Sequence, residues 1–266
     1  MTDAVFILPG IFNSVDIALL ILVAATAFIL SFFDSTVGMG YGTSIIAILL
    51  LLGFSPREAV PAILFTNAIL GLIAGFSHHK YENVDFSRKS KDFRVMLALT
   101  GFGFIGVIIA ILVAVKIPDQ YLEAYIGVLV LYIGAKIIIK HRSKHKFSWN
   151  KIIFLGTVAA FNKGLSGGAY GPVVVGGQIL SGVQSKKAIG IAALAEGLIS
   201  IVGSIAYFSI NDTYLNPLLI IALLAGGATA VPIAAFVVQK YHPHKIRRII
   251  GIVAVALGAA ILGHLF

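Results

Sequence analysis

Apolar residues run along this chain in blocks of about 20, parted by short polar stretches, with no strict polar–apolar alternation. Blocks of that kind predict helices. Ten can be marked, near 17–33, 43–53, 57–77, 93–115, 120–140, 151–162, 172–182, 187–209, 215–238 and 245–265. At about 1.5 Å per residue, the segments 43–53, 151–162 and 172–182 fall short of a hydrocarbon layer of about 30 Å. They read as half-helices.

The pattern occurs twice. A shift of about 129 positions lays Asn162–Pro172 over Phe33–Thr43, Gly182 over Gly53, Ala188 over Ala59 and Glu196 over Asn67. Each copy, 1–145 and 146–266, holds five segments, and a basic linker from about Lys140 to Lys151 joins them. In each copy an apolar run breaks at a cluster of glycines and small hydroxyl residues beside one charge, Asp34 or Lys163.

Composition settles the environment. With 59% hydrophobic and 12% charged residues and a mean hydropathy of +0.99, the chain carries more apolar surface than a water-soluble domain of 266 residues can bury. It reads as an all-α polytopic membrane protein. The first block follows Asp3 and Asp16 with no Lys or Arg before it, so it is taken as a membrane segment and not a signal peptide. The formal charge of +9 does not point to nucleic acid, because the basic residues gather in short loops where the positive-inside rule accounts for them. Those loops are 80–92, 140–151 and 240–248, expected in the cytoplasm. The basic-free Asn211–Thr213 loop and both termini are then outside, and five segments per copy set the two copies in opposite directions. Inverted repeats with interrupted helices are the architecture of secondary transporters, whose sites lie near the membrane centre where the copies meet.

No cysteine is present, which removes disulfides, thiolate metal sites and cysteine nucleophiles. The histidines show helical metal spacing only at His141 and His145, which sit among lysines, so no metal or cofactor is expected. Candidate chemistry lies in the two broken runs. Gly38, Gly40, Tyr41, Gly42, Thr43 and Ser35 in the first copy, and Ser166, Gly167, Gly168, Tyr170, Gly171 and Gln178 in the second, offer backbone N–H groups and hydroxyls to a small anion placed between the turns. Lys163 supplies a cation, either for that anion or for a static ion pair with Asp34. Asp34 and Glu196 are proton-coupling candidates, since a carboxylate at membrane depth is costly to keep charged. Glu196 is alternatively a hydrogen-bonding link between helices, with Asn67 opposite it by repeat.

Two rival classes fit the sequence less well. Gly164-Leu165-Ser166-Gly167 has the form of the serine motif of intramembrane proteases, but no histidine is placed at depth by the segment boundaries, so no enzyme activity is expected. An anion channel also uses broken helices, yet two turns bearing unlike charges suit a gated site better than a continuous pore.

Several motifs resemble the TauE/SafE sulfite exporter family. They are Asp34-Ser35-x-x-Gly38-Met39-Gly40-Tyr41-Gly42-Thr43, Gly53-Phe54-x-Pro56, His78-His79 with Asn83-Val84-Asp85-Phe86, Lys163-Gly164-Leu165-Ser166-Gly167-Gly168-x-Tyr170-Gly171-Pro172, and Gly176-Gly177-Gln178-Ile179-Leu180-Ser181-Gly182. Ala169 and Thr66 depart from the pattern, where relatives carry glycine and serine. The resemblance spans nearly the whole chain and implies an inner-membrane carrier, working by alternating access, for sulfite, sulfonates and related anions. Expected partners are thus a small anionic substrate, the bilayer and possible coupling protons, with oligomeric state left open.

Overall fold

A computed structural model describes residues 14–139, 147–210, 215–240 and 244–265. The linker histidines and most of the linker lysines, the Asn211–Thr213 loop and Asp3 lie outside them. Ten helices and no strand occur among the described residues: α1 (Ser14–Val37), α2 (Tyr41–Leu51), α3 (Pro56–Lys80), α4 (Lys91–Ala114), α5 (Asp119–Ile138), α6 (Trp149–Ser166), α7 (Tyr170–Leu180), α8 (Ser185–Ile210), α9 (Pro217–Lys240) and α10 (His244–Leu265). Six of them are long and apolar enough to cross a membrane. Large apolar side chains point outward from them, Phe76 at 72% and Ile21 at 64% exposure, as lipid contact requires. The protein is an all-α polytopic membrane protein.

Two expectations about length are corrected. Segment 151–162 is longer than expected, because α6 runs for 18 residues, about 27 Å, through Lys163 to Ser166, although it is not one of those six. Likewise α1 continues through Asp34 to Val37, so both charges sit in a last helical turn and not in the break. The breaks shrink to Gly38–Gly40 and Gly167–Ala169. Only α2 and α7 are short, at 11 residues each, or about 16 Å.

Glycines shape the centre. At Gly40 the backbone has φ 136°, a region closed to residues with a Cβ, and this lets α2 leave the end of α1 at a sharp angle. The end of α1 lies beside the C-terminal half of α3, where Ser31 and Leu70 both border Gly227. Because α2 leads directly into the start of α3, it doubles back on α1 as a hairpin. The helices α6 and α7 repeat the device.

Helix packing respects the exchange of the two copies. The helix α1 packs on α9 as α6 packs on α4, and α3 packs on α9 as α8 packs on α4. Exchange-related helices also pair directly, α3 with α8 and α5 with α10. Both of these pairs run antiparallel: along α3, Leu64, Gly71, Gly75 and His78 meet Gly203, Gly197, Leu194 and Gly190 in turn. A Cβ on Gly71 would lie 2.5 Å from the Cα of Gly197, so the two backbones touch where α3 crosses α8.

Candidate functional site

At that crossing four polar side chains from four helices converge, and they are two repeat-related pairs: Asp34 on α1 with Lys163 on α6, and Asn67 on α3 with Glu196 on α8. Lys163 is completely buried and its Nζ donates to Glu196 Oε1 at 2.7 Å and to the Gly167 carbonyl at 3.3 Å. Asn67 Nδ2 donates to the same Glu196 oxygen at 3.5 Å. The expected alternative of a Lys163–Asp34 pair is therefore not realised. Lys163 points from the last turn of α6 toward α8, and the Asp34 carboxylate instead accepts from the Tyr41 N–H at 3.3 Å, at the start of α2.

Each charge thus sits where a helix end favours it. A carboxylate complements the partial positive charge at the N-terminus of α2, and an ammonium complements the carbonyls that end α6. The consequence is an asymmetry between two otherwise matching turns. Asp34 already occupies the first amide of α2, whereas α7 is capped by Ala169, which has no side-chain acceptor to offer its amides.

A cavity of about 20 Å³ opens beside three of the four, Asp34, Asn67 and Glu196. Its polar lining comes from Ser31, Asp34, Ser35, Tyr41, Asn67 and Glu196. That volume takes a water molecule and little more.

The remaining sequence candidates separate into groups. Tyr41 and Tyr170, which correspond by repeat, are both buried at the starts of the short helices. Gly42, Gly168, Gly38 and Gly171 hold the two turns directly against each other. A Cβ on Gly42 would lie 2.9 Å from Gly168 Cα, one on Gly171 would lie 2.5 Å from the Gly38 carbonyl, and one on Gly168 would overlap the Gly42 carbonyl. In this conformation the turns are therefore in backbone contact, and the cavity lies to one side of them. Thr43 is buried in the first turn of α2. Ser166 serves its own turn, donating to the Asn162 carbonyl at 2.8 Å and accepting from Gly168 N at 3.2 Å. Gln178 stands apart near the end of α7 and donates to the Ala188 carbonyl at 3.3 Å.

Sequence reasoning passed over His78. It is completely buried, with Nδ1 3.2 Å from Asn83 Nδ2, and Asn83 in turn donates to the Ala235 carbonyl of α9 at 2.8 Å. Helical spacing was the available signal, because Asn67, Gly71, Ala74 and His78 follow one face of α3 from the cavity to the helix end. His78 is no partner for Ser166: the serine's neighbour Gly167 faces Ile63, about 22 Å along α3 from His78.

The family model for the sulfite exporter TauE/SafE matches residues 23–261. The chain belongs to the TauE/SafE family of membrane transporters. It is similar to the probable membrane transporter protein YtnM of Bacillus subtilis (strain 168), with 28% identity over 231 residues, covering 82% of this chain and 74% of that relative. No solved structure matches the chain. The family match encloses all four central residues and both turns.

Proposed function

We propose that this TauE/SafE protein is a secondary carrier of small sulfur-containing oxyanions such as sulfite or organosulfonates, an exporter working by alternating access between two inverted repeats. The observation that carries the proposal is the completely buried Lys163 ammonium at the crossing of α3 and α8. An ionisable group at that depth is expensive and marks a functional site. An anion bound there has Lys163 on one side and, around the neighbouring cavity, the hydroxyls of Ser35 and Tyr41. The antiparallel pairing of exchange-related helices supports the inverted arrangement, with each hairpin entering from one side of the membrane. A cavity of about 20 Å³ cannot take an anion of sulfite's size, so loading requires the copies to move relative to each other. That need favours a carrier over an open channel. The engagement of Ser166 with its own turn supports a role in shape and not in peptide cleavage.

The carrier sits in the cell inner membrane with both termini outside and the three basic loops in the cytoplasm. Counterflow in proteoliposomes tests the function. Vesicles preloaded with sulfite or a small sulfonate are expected to draw in labelled substrate with the wild-type chain and not with Lys163→Met. Equal uptake by the two would remove Lys163 from the site.

A further inference from the structure

The assignment of Lys163 as the cationic contact raises a conflict within the structure. Its ammonium is already satisfied by Glu196 at 2.7 Å, and the pair is buried, with the Lys163 side chain at 0% and that of Glu196 at 12% exposure. An anion arriving at Lys163 would meet the Glu196 carboxylate on the far side of the same nitrogen, leaving two negative charges to share one positive charge out of water. Such an uncompensated charge is not tolerated at depth.

We infer that substrate and proton enter this site together: the anion replaces Glu196 as the partner of Lys163, and Glu196 takes up one proton as it is released. The balance is simple. Before binding, the ammonium and the carboxylate sum to zero. Afterwards the ammonium faces the substrate anion, Glu196 is a neutral acid, and the sum is again zero. Asn67, whose amide reaches Glu196 Oε1 at 3.5 Å, accompanies the carboxyl group in both forms, since its carbonyl can accept from the protonated acid and its amide can donate to the ionised one.

Other groups facing Glu196 do not offer an easier route. Lys163 reaches it from α6. Asp34 from α1, Tyr41 from α2 and Tyr170 from α7 lie within electrostatic range. The helix α3 contributes Asn67 and, three turns further along, His78 beside Gly190 of α8. On α4, Asp92 at the first turn is paired with Lys187 at 2.9 Å near the start of α8. Lys163 is the cation in contact with Glu196, and an anion can reach it only in competition with that carboxylate.

This inference rests on the proposed anion site and specifies its coupling: proton and anion travel in the same direction, and the loaded carrier is electrically neutral. The test uses the purified full-length protein and methanesulfonate, a probe whose own charge does not change near neutral pH. Titration in weakly buffered solution should show about one proton taken up per sulfonate bound, and affinity should fall by up to about tenfold per pH unit on the alkaline side. In Glu196→Gln, which keeps a neutral group of the same shape, binding should persist with no proton uptake and a flat pH profile. Wild-type binding without proton uptake, or uptake lost in Asp34→Asn but kept in Glu196→Gln, would overturn the inference while leaving the anion site standing. Wild-type affinity in Lys163→Met would overturn the site itself. The proton count is read on the wild-type chain, so a poorly folded variant cannot mask the answer.

Discussion

Asn67 donates to Glu196 at 3.5 Å across the crossing of α3 and α8, and the two residues are 129 positions apart, the offset that superimposes one copy of the sequence on the other. A contact between equivalent positions of two copies marks the axis that relates them. Asp34 and Lys163 flank that contact as a second pair of positions with the same offset.

The buried ion pair should dominate the stability of the centre. Lys163→Met leaves the Glu196 carboxylate buried without its partner, at a cost of about 3–5 kcal/mol, whereas Lys163→Met combined with Glu196→Gln removes both charges and should recover most of that loss. Thermal unfolding in detergent of the two single variants and the double variant measures it. Additive losses would mean that the pair is not coupled in the folded protein.

The contact between the turns predicts a contrast among glycines. Gly168→Ala places a methyl group on the Gly42 carbonyl, should cost about 1–3 kcal/mol, and should stop transport by forcing the hairpins apart. Gly101→Ala and Gly176→Ala meet nothing within 4 Å and should leave both transport and melting temperature close to wild type. Side-by-side melting curves and counterflow rates decide this.

Ala169 holds φ 69°, a left-handed conformation that suits glycine. Ala169→Gly should relieve strain of about 1 kcal/mol and raise the melting temperature, with the fold unchanged. A lower melting temperature would show that the methyl group, which is buried, contributes more by packing than the backbone loses.

Sidedness is open to direct measurement because the chain contains no cysteine. Glu82 follows α3 and Lys116 follows α4, and both are exposed. Single cysteines at these positions should react with a membrane-impermeant reagent from opposite faces, position 82 from the cytoplasmic face. Reaction of both from one face contradicts the topology.

Most of the helix plan was legible in the order of residues because it depends on local quantities, the length of an apolar block and the glycines that interrupt it. The errors arose where a polar residue was held in a helix by a distant partner. Asn162 and Lys163 looked like the end of a segment, yet α6 continues through them because Tyr125 donates to Asn162 Oδ1 at 2.6 Å and Glu196 neutralises Lys163. Those partners are 37 and 33 positions away and cannot be inferred from the run itself. Repeat symmetry made Asp34 the natural partner for Lys163, and it misled for a related reason. Symmetry says which positions are equivalent and not which way a side chain leans, and the lean follows from the last turn of α6. His78 was hidden differently, since its place beside a basic loop suggested solvent while its helical face led back to the cavity.

The backbone at the centre treats the two copies alike, but its charges do not: an acid in one copy stands where the other has a base, and an amide stands where the other has an acid. Two identical half-length chains associating as a dimer would present the same residue twice and so could not build this arrangement. Joining the copies in one polypeptide gives a nearly symmetric scaffold a built-in polarity, because the paired charges Lys163 and Glu196 both belong to the second copy while the first contributes Asp34 and Asn67.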